Sequence, residues 1–345
     1  MGTISELLSL LKWFMIKRTN TKPPLDRLRI VPRAMRMTSY HCPRRFRIIA
    51  HTAIASALLV TSYARAESLR FAVIGDYGDP GPNEEDVATL VRSWNPDLLI
   101  TTGDNNYTGN IDANVGQYYH EFISPYVGSF GHGSETNRMF PSLGNHDWDE
   151  VLDCNGSSCS GPYLEYFTLP GNGRYYDFVA GPVHFFALDS DDREPDGNTS
   201  SSVQGRWLQN RLASSTARWK ILYCHHPPYS SALHGSSLWM QWPFHAWGAT
   251  AVLAGHDHTY ERIIRDAIPY FVNGLGGRMI YSFRTPVDGS EVRYNDDYGA
   301  MVVQADETMM TFQFISRDGA IIDSYVINAT PVETTSWGSI KAMYR

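Results

Sequence analysis

The chain has 345 residues, of which 43% are hydrophobic, and its formal net charge at pH 7 is −7. A chain of this size and composition can bury a large core, which argues against a disordered protein. Residues 1–66 hold 12 of the 29 Lys and Arg residues but only two of the 36 acidic residues, which leaves 17 basic and 34 acidic residues downstream. The net charge of about −17 beyond residue 66 disfavours nucleic acid and anionic membrane surfaces as partners.

The first 66 residues include a predicted export signal. Three arginines within residues 44–47 precede an apolar run over residues 48–60, and Ala64-Arg65-Ala66 follows that run. These are the three parts of a secretory signal peptide, and we expect cleavage after Ala66. The apolar run is shorter than the roughly 20 residues that a membrane span needs, so we predict a periplasmic or secreted protein without a stable membrane span. A membrane anchor is the alternative, and the paired arginines also permit a twin-arginine route.

Residues 1–34 lie too far upstream to belong to that signal. Met35 and Met37 stand where translation of a signal peptide would start, so we expect the printed start to be over-extended. The alternative is that residues 7–16 form an apolar helix of their own. We therefore divide the chain into an extension with a signal peptide (1–66), one large domain (67–328) and a loosely attached tail (329–345).

Beyond Ser68, short runs of β-branched and aromatic residues alternate with polar, Gly-rich segments, a pattern typical of strands. Helices are predicted at Asn83 to Trp94, with Asn83 as N-cap, and at Ser201 to Leu212. Strands are predicted at about 69–74, 97–102, 138–143, 174–179, 182–188, 218–224, 250–254, 269–273, 299–305, 308–316 and 320–327. Early strands alternate with helices and later ones follow one another directly. The predicted fold class is α/β (α+β), with two mixed β-sheets packed as a sandwich between helices.

Three cysteines lie beyond the extension. Cys154 and Cys159 bracket a four-residue loop, and in an oxidising compartment this spacing predicts a disulfide. Two free surface thiols are the alternative. Cys224 lies in an apolar run and is predicted to be a small core residue.

Five of the predicted strands end abruptly in a short polar cluster, and open sheets bind ligands at the carboxyl ends of their strands. Each cluster alone is weak, because Gly-Asp after a strand is usually only a turn. Together they supply Asp, Asn, His and Tyr, which are donors for hard and borderline metal ions. The five clusters are Gly75-Asp76-Tyr77-Gly78, Gly103-Asp104-Asn105-Asn106-Tyr107, Gly144-Asn145-His146-Asp147, His225-His226-Pro227-Pro228 and Gly255-His256-Asp257-His258.

In order and spacing these clusters resemble those of the purple acid phosphatases, which are calcineurin-like metallophosphoesterases. The resemblance extends from Arg70 to about Ile327, and it includes the tyrosine three residues after the second aspartate, here Tyr107. Among the purple acid phosphatases, the chain resembles the smaller, single-domain members of the tartrate-resistant type. The resemblance implies that residues 67–328 are a metallophosphoesterase catalytic domain.

The resemblance also implies two metal ions with separate ligands. Fe(III) would be held by Asp76, Tyr107 and His258. A divalent ion, which is iron, zinc or manganese, would be held by Asn145, His225 and His256. Asp104 would bridge the two ions. Counting the two ions, both aspartates, the phenolate and a bridging hydroxide leaves about one positive charge, which favours a phosphate ester.

The implied reaction is attack on phosphorus by a metal-bound hydroxide, with no Ser or Cys nucleophile. His146 would contact the phosphate and assist the leaving group, with Asp147 orienting it, and His234 is a second outer histidine or else a mobile loop residue. By strand alternation, the side chain of His226 should leave on another side, which predicts a structural role. Three further residues near loops could line the substrate mouth but are more typical of packing: Trp148, Tyr229 and His132.

The predicted activity is hydrolysis of small phosphate monoesters at acidic pH, since a ferric ion should lower the pKa of bound water below the value of about 7 seen with zinc. One alternative is a phosphodiesterase, including one for cyclic nucleotides. Another is a redox-active iron protein or an inert metal-binding relative. The sequence leaves the oligomeric state undetermined.

Overall fold

The computed structural model of the protein describes residues 68–149, 153–156 and 158–329. These residues fall within one compact unit. The predicted signal peptide, the alternative helix of residues 7–16 and the predicted tail from residue 330 onward lie outside the described residues. Within the described part of the chain, no helix is both long enough and apolar enough to cross a membrane.

The described elements comprise fifteen strands and five α-helices, with further short helical turns between them. The strands are β1 Leu69–Ile74, β2 Leu98–Thr101, β3 Met139–Pro141, β4 Asp153–Asn155, β5 Ser158–Ser160, β6 Tyr176–Ala180, β7 Val183–Ala187, β8 Trp219–Tyr223, β9 Ala251–Ala254, β10 Tyr260–Arg265, β11 Ile268–Asn273, β12 Ser290–Tyr294, β13 Gly299–Ala305, β14 Met309–Ser316 and β15 Ile321–Asn328. The helices are α1 Pro82–Ser93, α2 Gln117–Tyr119, α3 Asn145–Asp149, α4 Pro162–Tyr166 and α5 Val203–Ser214.

Two mixed sheets form the centre of the fold. The first has the strand order β15-β14-β13-β1-β2-β3, and the second has the order β12-β10-β11-β9-β8-β7-β6. Strands β1, β2 and β3 are parallel to one another, as are β7, β8, β9 and β11. The other pairings within the two sheets are antiparallel.

Strand alternation divides the apolar residues into three layers. Phe71 and Val73 of β1 point into a core shared by both sheets, whereas Ala72 and Ile74 pack with α1 on the outer face of the first sheet. Leu222 of β8 packs with α5 on the outer face of the second sheet. The predicted sandwich of two sheets between helices is therefore confirmed.

Two helix boundaries follow local sequence. Helix α1 begins at Pro82 after Gly81 and has no side-chain cap, so the prediction of Asn83 as N-cap is wrong. Proline suits the first turn of a helix, because its ring fixes φ and no hydrogen bond from its nitrogen is needed there. Helix α5 begins after Ser202, whose hydroxyl accepts a hydrogen bond from the Gly205 amide at 3.0 Å.

The cysteines behave as predicted. Cys154 and Cys159 form a disulfide across the β4–β5 hairpin. Cys224 is free and fully buried.

Candidate metal centre

The candidate site lies where parallel strands of both sheets end. Asp76 follows β1, Asp104 follows β2, and two histidines, His225 and His256, follow β8 and β9. Asp76, Asp104 and His256 have φ angles of 55°, 54° and 68°, and they are three of the six non-glycine residues with positive φ in the described ranges. Such backbone strain is concentrated at functional sites, where the surrounding structure holds it.

Two glycines allow the strand-end turns to approach each other. A Cβ atom at Gly144 would lie 2.2 Å from Oδ1 of Asp104, and one at Gly255 would lie 2.6 Å from Oδ2 of Asp76. Neither distance is compatible with a side chain. Glycine is therefore required at both positions for the two aspartates to lie inside the cluster.

Three of the seven predicted ligands form a tyrosine group, which comprises Asp76, Tyr107 and His258. The Tyr107 hydroxyl lies 3.5 Å from Oδ1 of Asp76 and 3.4 Å from Nε2 of His258. Nε2 of His258 in turn lies 3.5 Å from Oδ1 of Asp76. The three donor atoms therefore converge on one point.

Three others form an asparagine group, which comprises Asn145, His225 and His256. Nε2 of His225 lies 3.0 Å from Oδ1 of Asn145 and 3.1 Å from Nδ1 of His256. Oδ1 of Asp104 lies 3.3 Å from the same nitrogen. The ligand atoms offered by Asp76, Asp104 and His225 all lie within 4.8 Å of one another, so Asp104 connects the two groups.

Backbone carbonyls orient two of the imidazoles. Nδ1 of His225 lies 2.9 Å from the carbonyl of Thr102, and Nδ1 of His258 lies 2.6 Å from the carbonyl of Met279. Because a carbonyl only accepts, each Nδ1 carries a proton, and in the neutral ring each Nε2 has the lone pair that could bind an ion. Metal-binding histidines are typically oriented in this way, by a hydrogen bond from the ring nitrogen that does not bind the ion.

The electrostatics of the cluster require positive charge. Asp76 is fully buried, and burial raises its pKa. Burial also opposes ionisation of Asp104, but the neighbouring His225 outweighs it and holds the pKa of Asp104 below its usual range. Burial alone would lower the pKa of His225, but Asp104 raises it to about 10. One imidazolium thus compensates one of two buried carboxylates, and a bound cation would compensate the other.

The donor set fits two different ions. Burial and the nearby carboxylates raise the pKa of Tyr107 well above its usual value, so its phenolate forms only against a strongly acidic cation. The asparagine group offers one amide oxygen and two imidazoles, which suit a borderline divalent ion. The residues present therefore fit a dinuclear centre.

His146 lies at the mouth of the cluster. Its side chain is 43% exposed, its ring lies 4.5 Å from the Tyr107 ring, and its amide donates to Oδ1 of Asp104. Asp147 does not orient it, contrary to expectation. The buried Asp147 carboxylate accepts hydrogen bonds from the amides of Gly144 and Asn105, whereas Asp149 lies 3.6 Å from Nδ1 of His146. On a helical turn, residues three apart share a face and adjacent residues do not.

Two further histidines flank the ring of His256. His234 is exposed, and its ring lies 4.3 Å from that of His256, while its amide donates to Oδ1 of Asp257. The ring of His226 lies 4.4 Å from that of His256, so the expectation that it leaves on another side is wrong. Strand β8 ends at Tyr223, and alternation does not constrain residues beyond the strand.

The three residues considered for the substrate mouth have other contacts. Trp148 is 5% exposed, and its indole donates to Asp189. Tyr229 packs against Tyr270. His132 is exposed, and its carbonyl lies 2.8 Å from Nδ1 of His120. Trp148 and Tyr229 are packing residues, as their type suggested.

Sequence reasoning missed polar residues after two further strands. Strand β7 runs into Asp189-Ser190-Asp191, and β11 ends at Asn273 before the Gly-rich segment that leads to Arg278. The guanidinium of Arg278 lies 4.7 Å from the Tyr107 ring centroid and is held by Asp79. The rule used for the five clusters, an apolar strand that ends in a Gly or Asp turn, would have found both.

The sequence comparisons agree with this geometry. The profile of the family described as calcineurin-like phosphoesterase matches residues 69–260. The chain belongs to the calcineurin-like phosphoesterase family. Tartrate-resistant acid phosphatase type 5 from Rattus norvegicus is 26% identical over 263 residues, covering 66% of this chain and 78% of that protein. The Homo sapiens protein of the same name is 24% identical, covering 77% and 93%.

Solved structures show the same fold for this calcineurin-like phosphoesterase. A purple acid phosphatase from yellow lupin (Lupinus luteus) seeds aligns with a TM-score of 0.60 and 19% identity, covering 79% of this chain and 58% of that one. GAP50, described as the anchor in the inner membrane complex of Plasmodium, aligns with a TM-score of 0.57 and 17% identity, covering 80% and 93%. The resemblance to purple acid phosphatases seen in the motifs is confirmed. Because one structural neighbour is described as an anchor, activity has to be argued from the site.

Proposed function

We propose that the protein is an acid phosphatase that hydrolyses small phosphate monoesters with a ferric and a divalent ion. The tyrosine group would hold the ferric ion, the asparagine group would hold the divalent ion, and Asp104 would contact both. The observation that supports this division is the contact pattern of the donor atoms, which separates into two groups joined at Asp104.

Two such ions, when bound, supply an activated water at low pH and neutralise the charge that develops on the phosphoryl group. Around them, the chain provides groups for proton transfer and positioning. His146 and His234 are exposed imidazoles beside Tyr107 and His256, where each can donate a proton to the oxygen of the departing alcohol. Asp147 has a structural role. Its carboxylate accepts hydrogen bonds from the amide of Gly144 and the side chain of Asn105, and these contacts position the turn that carries His146.

The substrate test is a panel of monoesters, such as p-nitrophenyl phosphate and glycerol phosphate, assayed beside bis-p-nitrophenyl phosphate and a cyclic nucleotide from acidic to alkaline pH. We expect higher kcat/KM for monoesters and an optimum below neutrality. Metal analysis should give one iron ion and one divalent ion per chain, and the purified protein should show a visible absorption band. A strong diester preference with an alkaline optimum and a colourless protein would contradict the proposal.

We also propose that residues 67–328 are the mature catalytic domain and that residues 44–66 direct export. The support is the three-part pattern of residues 44–66. Mass spectrometry of the native protein tests this. We expect the first peptide to begin at Glu67, and peptides from residues 1–34 would contradict it.

A further inference from the structure

His226 lies beside the asparagine group, although no role follows for it from the proposed metal ligands. Its ring centroid lies 4.4 Å from that of His256, 5.1 Å from that of His225 and 5.6 Å from that of Trp239. It therefore flanks two of the three members of the asparagine group.

The buried hydroxyl of Ser190 determines which nitrogen of His226 carries a proton. Oγ of Ser190 accepts a hydrogen bond from the His226 amide at 2.9 Å and lies 2.9 Å from Nδ1 of the same ring. Within the described residues, these two atoms are the partners of that hydroxyl. A buried hydroxyl has one proton to donate, and Nδ1 is its available acceptor. In the neutral ring the proton is then on Nε2, and in the charged ring both nitrogens are protonated, so Nε2 is a donor in either state.

Nε2 of His226 has no hydrogen-bond partner among the described residues. This nitrogen is not among the fully buried polar atoms that lack a partner, so it keeps some exposure to solvent. Trp239 lies beside the same ring, and its indole donates to the Ser190 carbonyl at 3.0 Å. Ser190 therefore contacts both the amide and Nδ1 of His226, which leaves Nε2 as the free donor of the ring.

We propose that Nε2–H of His226 donates a hydrogen bond to a non-bridging oxygen of the bound phosphoryl group. His226 is thus a substrate-contacting residue in addition to His146 and His234. The inference rests on the proposed function for the identity of the substrate. Its chemical basis is that an anionic phosphoryl oxygen is the acceptor such a donor selects, because hydrogen bonds to charged groups are shorter and stronger than neutral ones.

Two amide substitutions distinguish the hydrogen bond donated by Nε2 from the contact between Nδ1 and Ser190. In His226→Asn, Oδ1 replaces Nδ1 as the acceptor for Ser190, but no donor stands at the position of Nε2. In His226→Gln, the longer amide places a donor near the position of Nε2. We expect His226→Asn to weaken the binding of inorganic phosphate about tenfold or more, with KM rising more than kcat falls, and His226→Gln to stay within about threefold of the wild type.

The measurement is calorimetric binding of inorganic phosphate to the metal-loaded protein, with metal content determined for every variant. Ser190→Ala provides a further variant, which keeps the imidazole of His226 but removes the hydroxyl that contacts its Nδ1. We expect a loss of phosphate affinity smaller than in His226→Asn. Unchanged affinity in His226→Asn would overturn the inference, and so would an equal loss in both amide variants, because that would assign His226 an anchoring role. Phosphate binding needs no turnover. A wild-type protein that fails to hydrolyse monoesters would therefore refute the proposed function separately.

Discussion

The tyrosine group and the asparagine group occupy the same strand-end edge, yet they differ in charge. The tyrosine group contains a carboxylate and a phenol, and the guanidinium of Arg278 lies over the ring of that phenol. The asparagine group contains no carboxylate, and it is flanked by two outer imidazoles. This difference supports the proposal of two unequal ions, one held by anionic oxygens and the other by imidazole nitrogens and an amide oxygen.

The largest effect should come from the residue that joins the groups. We expect Asp104→Asn to lower kcat/KM for a phosphate monoester by at least about 10²–10³-fold, because a preorganised charge between the two groups is lost. Metal analysis should show that the protein retains less of both ions. Loss of only one ion would mean that Asp104 belongs to a single group and does not bridge them.

A selective effect should follow from a change within the tyrosine group. We expect Tyr107→Phe to remove the visible absorption band, because the phenolate that would bind Fe(III) is gone, while the divalent ion stays bound. The matched control is Tyr281→Phe, since the Tyr281 ring stacks on His258 at 4.0 Å but is not a predicted ligand. Absorption spectra of the two purified variants test this. A band that persists in Tyr107→Phe, or disappears in Tyr281→Phe, would contradict the assignment of the phenol.

The smallest effect concerns a buried carboxylate outside both groups. Glu84 of α1 is fully buried, and neither carboxylate oxygen has a hydrogen-bond partner in the described residues. Burial raises its pKa well above the ordinary value. Glu84 therefore stays protonated to a higher pH in the folded protein than in the unfolded chain. The free energy of unfolding falls as the pH rises above the ordinary glutamate pKa of 4.5, because the unfolded chain then loses this proton first.

Replacement of this carboxylate by an amide should therefore stabilise the fold at neutral pH. We expect Glu84→Gln to raise Tm by a few degrees at pH 7, since about 1 kcal/mol moves Tm by roughly 2–4 °C in a large domain. Below pH 4 the two proteins should melt alike, because Glu84 is then neutral in both the folded and unfolded states. Thermal denaturation at both pH values checks this. Equal Tm values at pH 7 would show that a counter-charge compensates Glu84.

Much of the fold follows from strand patterns, and the exceptions share a cause. The eleven predicted strands all correspond to observed ones, but β10 and β12 were not predicted, nor was the β4–β5 hairpin. Strand β10 carries Glu261 and Arg262, which look exposed in sequence but are buried. Glu261 accepts from the Ser231 amide and hydroxyl, and Arg262 pairs with Asp323 on β15. Such partners are distant in sequence, so local patterns give no sign of them.

The residues of the tyrosine and asparagine groups could be predicted from the sequence, because each lies in a polar turn that follows an apolar strand, and both are local patterns. Their surroundings could not, since contacts from other segments set them. His226 turned toward His256 because its strand had already ended and Ser190 of another loop held its ring. Asp147 turned away from His146 because the amides of Gly144 and Asn105 bind its carboxylate. Positions beyond the end of a strand are set by partners at neighbouring strand ends, and those partners come together only when each sheet has formed.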